Sequence, residues 1–307
     1  MRIASIDLGT NTALLLIADV DSSGIITPLI QLQRSPRIGR DVDEKKQIQQ
    51  PAFERLCDVL LEYSALIKKN DVDKVIACAT SAVRDATNRD ELISYIQLQT
   101  GITIEVISGE TEALLTYQGG ICGLPLTDNK YLVLDIGGGS TEISFYDSSN
   151  EFKKYSLQLG SVRLTERYFK HDPPLVYEIV NGRRFVSNCI DEHTGSFMAG
   201  LNELTLVGVA GTVTTLACFE QNLKEFDIQK VSGYPIPFER VQFWKDKLLT
   251  LSVEEITNLS NATEGRADIL QAGVLILSHF MEHFRFSEVI TSERGLRFGM
   301  VIRKQVY

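Results

Sequence analysis

The feature that most constrains this chain is that its opening pattern occurs twice. Residues Ile6 to Thr12 read IDLGTNT and residues Leu134 to Glu142 read LDIGGGSTE, so Asp7, Leu8, Gly9 and Thr12 are answered by Asp135, Ile136, Gly137 and Ser140 at one constant offset. A lone Asp-x-Gly ahead of a strand is ordinary turn chemistry, because Asp and Gly both favour turns. Here each copy opens the same succession of elements. Hydrophobic period predicts strands at 2–8, 12–20 and 25–33, a helix at 51–68, a strand at 74–79, a helix at 89–100 closed by Gly101, a strand at 102–107 and a helix from Gly109. The second half predicts strands at 130–136, 141–147 and 152–159, then helical sequence from Ser161 to about residue 200 broken at Pro173 and Pro174. A strand at 204–210, a long helical region, a strand at 288–291 and a helix from about Arg294 complete it. The repeated order βββαβαβα implies two homologous α/β halves. The expected domains are residues 1–122 and 123–293, with the helix at 294–307 returning to the first.

Length and composition agree with this. At about 150 residues per domain, 307 residues suit two domains. No apolar run approaches the roughly 18 residues of a membrane span, and the start, MRIASIDLGTNT, lacks a signal-peptide layout, so a cytoplasmic protein without membrane partners is expected. The net charge of −9 repels nucleic acid, and any polyanionic ligand needs a local site. Five scattered cysteines without CxxC spacing indicate neither a disulfide framework nor a zinc knuckle. His279 and His283 stand four apart in HFMEH, but the glutamate is misplaced for HExxH, and GxSxG is absent.

The repeated turns offer backbone N–H groups and small hydroxyls: Gly9, Thr10, Asn11 and Thr12 in one half, Gly137, Gly138, Gly139, Ser140 and Thr141 in the other. Successive amides of this kind form anion nests. AGTVTT, Ala210 to Thr215, runs from a strand into a helix and adds a third candidate, with Gly211 and Thr212 at its head. Asp7 and Asp135 end their strands beside these loops. Asp135 and Glu142 can share a hard cation; a turn cap is the alternative for Asp135, weakened by the duplicated context, and a plain exposed carboxylate explains Glu142 nearly as well. Ser108-Gly-Glu-Thr-Glu112 has the form of a capping box, which by itself makes Glu112 a cap-region residue. Arg84, in TSAVRD, reads either as a solvated loop charge or as a phosphate ligand.

Taken in order, IDLGTNT, PRIG (Pro36 to Gly39), ATSAVRDATN (Ala79 to Asn88), VISGETEA (Val106 to Ala113), LDIGGGSTE, LGSVRLTE (Leu159 to Glu166), AGTVTTLA (Ala210 to Ala217) and GRADILQAG (Gly265 to Gly273) resemble the exopolyphosphatase and guanosine pentaphosphate phosphohydrolase (Ppx/GppA) family over nearly the whole chain. The resemblance implies duplicated ribonuclease H-like domains of the actin, Hsp70 and sugar kinase superfamily, with a cleft between them. It maps the catalytic glutamate to Glu112 rather than Glu110, a divalent ion such as Mg²⁺ to Asp135 and Glu142, and phosphate contacts to the three loops and Arg84. Arg37, Arg163 and Arg266 match basic positions of the family motifs. Long members append a helical region of about 200 residues, the size of a further domain, so this chain resembles the short two-domain form. It also has Phe298 where many relatives carry an acid or tyrosine, leaving substrate preference open. The implied activity is release of orthophosphate from the end of inorganic polyphosphate. The alternatives are hydrolysis of guanosine pentaphosphate, which belongs to the stringent response, a superfamily small-molecule kinase, or a non-catalytic polyphosphate or nucleotide sensor. A homodimer is left open.

Overall fold

The computed structural model describes residues 1–124, 130–194 and 201–303. In chain order the elements are β1 (Arg2–Leu8), β2 (Ala13–Val20), β3 (Ile26–Arg34), α1 (Val42–Lys45), α2 (Gln50–Lys69), β4 (Lys74–Ala79), α3 (Ser81–Asp85), α4 (Arg89–Thr100), β5 (Ile104–Val106) and α5 (Gly109–Ile121). There follow β6 (Tyr131–Ile136), β7 (Thr141–Tyr146), β8 (Phe152–Leu157), α6 (Ser161–Tyr168), α7 (Val176–Thr194), β9 (Thr205–Val209), α8 (Ala210–Glu220), α9 (Ile228–Val231), β10 (Pro235–Pro237), α10 (Phe238–Leu248), α11 (Val253–Thr257), α12 (Ala267–Phe284), β11 (Glu288–Thr291) and α13 (Leu296–Arg303). Two compact units result: Met1–Gly119 with Leu296–Tyr307, and Gly120–Gly295. The chain passes from one to the other within α5 and again just ahead of α13. The ends of two predicted helical stretches, 195–200 and 304–307, lie outside the described residues.

The first unit is built on a five-stranded sheet of order β3-β2-β1-β4-β5, antiparallel across the opening meander and parallel across β1, β4 and β5. Pro28 of β3 pairs with Ala18 of β2, where the register shifts, and lies at the sheet edge where a residue without an N–H is tolerated. Period-2 alternation splits β1 between two layers. Ala4, Ile6 and Leu8 face a core shared with Phe53, Leu56 and Leu60 of α2 and with Leu92 and Ile96 of α4. On the opposite face Ile3 packs with Leu16, Phe298 and Val301. Helix α2 forms because Phe53, Leu56, Cys57, Leu60, Tyr63 and Ile67 recur at helical spacing behind Pro51 in its first turn, with Lys68 and Lys69 suiting the carboxyl end. Its buried Tyr63 hydroxyl donates to the Ala13 carbonyl at 2.8 Å.

The second unit repeats the plan with the order β10-β11-β9-β6-β7-β8. Removing β10 leaves β11-β9-β6-β7-β8, the counterpart strand for strand of β5-β4-β1-β2-β3. The extra strand β10, in the middle of the long region read as helical, pairs antiparallel with β11 at the sheet edge. The two prolines of Pro-Ile-Pro punctuate that region and fit only an edge strand. The remainder of the region is α8 to α12. The predicted helix broken at Pro173 and Pro174 is two helices, α6 and α7. Among the described residues, no helix is long and apolar enough to cross a membrane.

Helix α13 closes the first unit. Phe298, singled out by its departure from the family pattern, is fully buried in the core with Ile3 and Leu16. Gly299 lies so close to α5 that a Cβ there would stand 1.8 Å from the Leu115 carbonyl oxygen, which is backbone and has no freedom to turn aside. Gly299→Ala is expected to cost about 1–3 kcal/mol in urea unfolding through overpacking. Gly295→Ala, whose Cβ meets nothing within 4 Å, serves as the near-neutral control.

Candidate active site

In each unit the candidate loops occupy the carboxyl ends of adjacent parallel strands, where open α/β sheets bind ligands. β1 and β4 run side by side with Leu8 opposite Ala79, and β6 and β9 do so with Asp135 opposite Val209. The repeated turns close by the same bond: the Gly9 amide donates to the Thr12 carbonyl at 2.9 Å, and the Gly137 amide to the Ser140 carbonyl at 3.0 Å.

Neighbouring segments then orient the peptide planes. In the first unit the Thr10 and Asn11 carbonyls accept from the amides of Gly39 (2.8 Å) and Arg37 (3.1 Å). In the second, the Gly137 carbonyl accepts from Ser161 and the Gly138 carbonyl from Val162 and Arg163 at the start of α6, while Arg163 Nε donates to the Gly139 carbonyl at 2.7 Å. Carbonyl and following N–H point opposite ways across a trans peptide. The amides of Asn11 and Thr12, and of Gly138, Gly139 and Ser140, are therefore turned away from these braces, which is the arrangement of an anion nest. Close approach makes it achievable: a Cβ on Gly160 would lie 2.3 Å from the Gly138 oxygen, and one on Gly39 2.1 Å from Thr10 Cγ2. Thr10 also bonds Ser81 hydroxyl to hydroxyl at 3.0 Å, and Thr141 donates to the Leu159 carbonyl.

Of the candidate arginines, Arg163 is buried and braces the glycine loop, its second arm donating to Gln158. Arg37 adopts a left-handed φ of 52° to bring its amide to Asn11. Arg266 lies against Gly211, where a Cβ would meet its guanidinium at 1.6 Å, so AGTVTT and GRADILQAG form one substructure. Burial pulls the Arg266 pKa down to about 10. Thr212 is held near α12 by the bare face of Gly273, and Ala210, just before Gly211, takes a left-handed φ of 66° that a non-glycine residue adopts at a cost.

Glu112 differs from the sequence-based expectation of a cap-region residue. The Ser108 hydroxyl does cap the helix, accepting from the Thr111 amide at 3.2 Å, but Glu112 does not return the bond. Its carboxylate is buried beside the Thr80 side chain and accepts from Arg84 at 3.0 Å, while Glu110 is exposed. Arg84 is neither a solvated charge nor swung clear of the protein: the nitrogen bonded to Glu112 also donates to the Ile107 carbonyl at 3.1 Å. Burial raises the Glu112 pKa, against the opposing pull of Arg84. Asp7, at the end of β1, is pushed up to about 7 by desolvation and by the negative charge of Glu112, with Arg297 opposing.

Asp135 and Glu142 are directly opposed across β6 and β7 and hence share a face, and Ser156 on β8 extends the row, donating to Glu142 at 2.8 Å. Among the described residues no three His, Cys, Asp or Glu side chains gather into a metal-holding group. Two hard carboxylates fit a cation such as Mg²⁺, which is commonly held by one or two carboxylates together with water and phosphate oxygens, rather than an all-protein cage.

A family model described as the Ppx/GppA phosphatase family matches residues 16–307. The chain belongs to that family. It is 30% identical over 313 residues to "Exopolyphosphatase 2" of Mycobacterium tuberculosis, covering 98% of each chain. Among solved structures it is similar to an exopolyphosphatase-like protein, with a TM-score of 0.92, 31% identity and coverage of 100% of this chain and 99% of the other. It is also similar to the Aquifex aeolicus member of the Ppx/GppA family, with a TM-score of 0.81, 31% identity and coverage of 100% and 98%. The fold is accordingly the duplicated α/β, ribonuclease H-like architecture expected of this Ppx/GppA protein.

Sequence reasoning placed Asp7 beside a phosphate loop without giving it a role, and passed over Thr80 and Arg297. Only the tertiary structure brings Asp7 and Thr80 to Glu112 and Arg297 to Asp7, since they come from three distant motifs. The raised Asp7 pKa carries a stability cost with a definite sign. A carboxyl that holds its proton more tightly when folded contributes stability below its unfolded pKa of about 4 and loses it as pH rises to about 7. Asp7→Asn is therefore expected to be more stable than the parent by up to about 4 kcal/mol at pH 8, with the advantage shrinking towards zero at pH 4. Thermal unfolding across that range checks it.

Proposed function

We propose that this protein is a metal-dependent phosphohydrolase that removes the terminal phosphoryl group of inorganic polyphosphate, with water as nucleophile and Glu112 as general base. The observation that carries this reading is the buried Glu112 carboxylate, turned away from its helix cap and held by Arg84 beside Thr80 on the strand rim that also bears the Gly9–Thr12 loop. The printed name of the Mycobacterium tuberculosis relative, aligned end to end with this chain, supports the substrate class.

Phosphoryl transfer through a loose transition state asks a protein chiefly to position the reactants and stabilise charge on phosphate oxygens. Oriented loop amides and hydroxyls serve that task by donating to anionic oxygens. Glu112 takes one proton from water as the water oxygen bonds to phosphorus, and the bridging P–O bond breaks with its electron pair leaving on the shortened chain. Raised by burial, Glu112 is a stronger base than an exposed glutamate. Arg84 holds one of its oxygens so that the carboxylate has a fixed direction. Asp135 and Glu142 would hold the divalent cation, which when bound supplies neutralisation of phosphate charge.

Glu112→Gln cannot accept a proton and is expected to lower turnover by roughly 10²-fold or more while polyphosphate binding persists. Glu110→Gln, two residues away and exposed, should retain near-parental turnover. Steady-state phosphate release and equilibrium binding separate the two, and parental turnover in both variants would refute the mechanism. Parallel assays on guanosine pentaphosphate decide the substrate, a higher kcat/KM for the nucleotide overturning the polyphosphate assignment. A double variant, Asp135→Asn with Glu142→Gln, is expected to abolish activity or raise the Mg²⁺ concentration needed for half-maximal rate by about tenfold or more. An unchanged Mg²⁺ titration removes the metal assignment.

A further inference from the structure

Glu112 shares its rim with a second carboxylate whose surroundings are set by the end of the chain. β1, β4 and β5 run parallel, Asp7 lies near the end of β1, Thr80 follows β4 and α5 follows β5. Thr80 links these ends, its amide and its hydroxyl both donating to the Leu8 carbonyl, at 3.1 and 3.4 Å, and its side chain lying beside Glu112. Because side chains alternate along a strand, Ile3, Ser5 and Asp7 belong to one face of β1. That face receives α13: Ile3 packs on Phe298 and Val301, and the buried Ser5 hydroxyl donates to the Arg297 carbonyl at 2.8 Å. Gly299 rests against the backbone of Leu115, three residues past Glu112 in α5. Helix α13 is thus keyed both to the strand bearing Asp7 and to the helix bearing Glu112, with Arg297 in its first turn.

We infer that Arg297 is a positioning residue of the hydrolytic centre, placed by α13 so that its charge supports Asp7 as a second carboxylate behind Glu112. The inference rests on Glu112 being the base. An ionised Asp7 disfavours a second negative charge nearby, so it increases the affinity of Glu112 for the proton of the attacking water. Arg297 offsets the cost of keeping Asp7 ionised. The proton taken from water passes from Glu112 to solvent, and Asp7 ends the cycle as it began. The groups facing this pair are Glu112 from α5, Arg297 from α13, and Arg84 and Asp85 from α3 acting on Glu112. Cys78 is the neighbour of Asp7 on β4, and Tyr63 of α2 also feels the charge of Arg297.

The test is the pH dependence of kcat and KM for polyphosphate in the full chain, for Arg297→Met, Arg297→Lys and Asp7→Asn. Arg297→Met is expected to move the acid limb of kcat upward by about one pH unit, with turnover about tenfold lower near pH 6.5. The deficit should close in alkali, and KM should change by less than about threefold. Lys at 297 keeps the charge and should restore most of the profile. Asp7→Asn should erase the limb near neutrality and lower kcat by about tenfold throughout. An Arg297→Met variant uniformly slower at every pH, or one with a raised KM and an unmoved limb, overturns the inference. If Arg297→Met does not fold by circular dichroism, an Asp7→Asn variant that keeps the limb overturns it equally. Failure of the underlying reading is distinct, because it shows as parental turnover in Glu112→Gln.

Discussion

Both units depend on one backbone arrangement, the glycine amide of the Asp-x-Gly turn closing on the carbonyl three residues later. That bond fixes a tight hairpin at the carboxyl end of the first strand, beside the end of a parallel neighbour. Braces on the loop carbonyls then direct the following amides to the other side. The braces differ in kind: the PRIG segment in the first unit, the start of α6 and the Arg163 guanidinium in the second. Duplication therefore preserved the turn and the sheet order while its supports diverged. Gly39 and Gly160 make room for these braces, since a Cβ would collide with the Thr10 side chain at one and with the Gly138 backbone at the other.

Burial explains the acidic residues better than counting them does. Glu112 and Asp7 are both held where ionisation is expensive, and neither has enough compensation to make it cheap: Arg84 supports one and Arg297 the other. Groups kept in this condition cost folding stability and gain proton affinity, the usual trade at catalytic positions. Glu178 shows the contrast. It is also buried, yet it accepts from the amides of Lys170 and Leu175 and from His171, and these bonds draw its pKa down to about 2. A fully satisfied carboxylate of that kind braces a loop and takes no proton.

The arginines follow the same logic. Arg163 matches a family motif, but its guanidinium holds the Gly139 carbonyl and Gln158, so it acts on the glycine loop as a brace. Arg266 packs its guanidinium on Gly211, and Arg37 brings its amide to Asn11. Basic residues beside the candidate anion-binding loops are thus partly their framework.

The sequence by itself determined the duplicated α/β plan, because hydrophobic period, turn chemistry and the repeated motif are local signals: β1, β2, β3, β4 and α4 lie within a residue or so of where they were read. It also set Asp135 opposite Glu142, since a four-residue turn leaves that register little choice. Local residues alone make Glu112 a cap-region residue, because Ser108 and the first-turn glutamates suit a helix start while Arg84 lies 28 positions away; the catalytic assignment came only from the family resemblance. It took β10 for helix, since an edge strand of three residues acquires its identity only from its partner β11. Arg297 was invisible for the same reason. Its place beside Asp7 comes from Ser5 and Leu115 meeting the far end of the chain, and such long-range contacts are decided by packing that only the tertiary structure supplies.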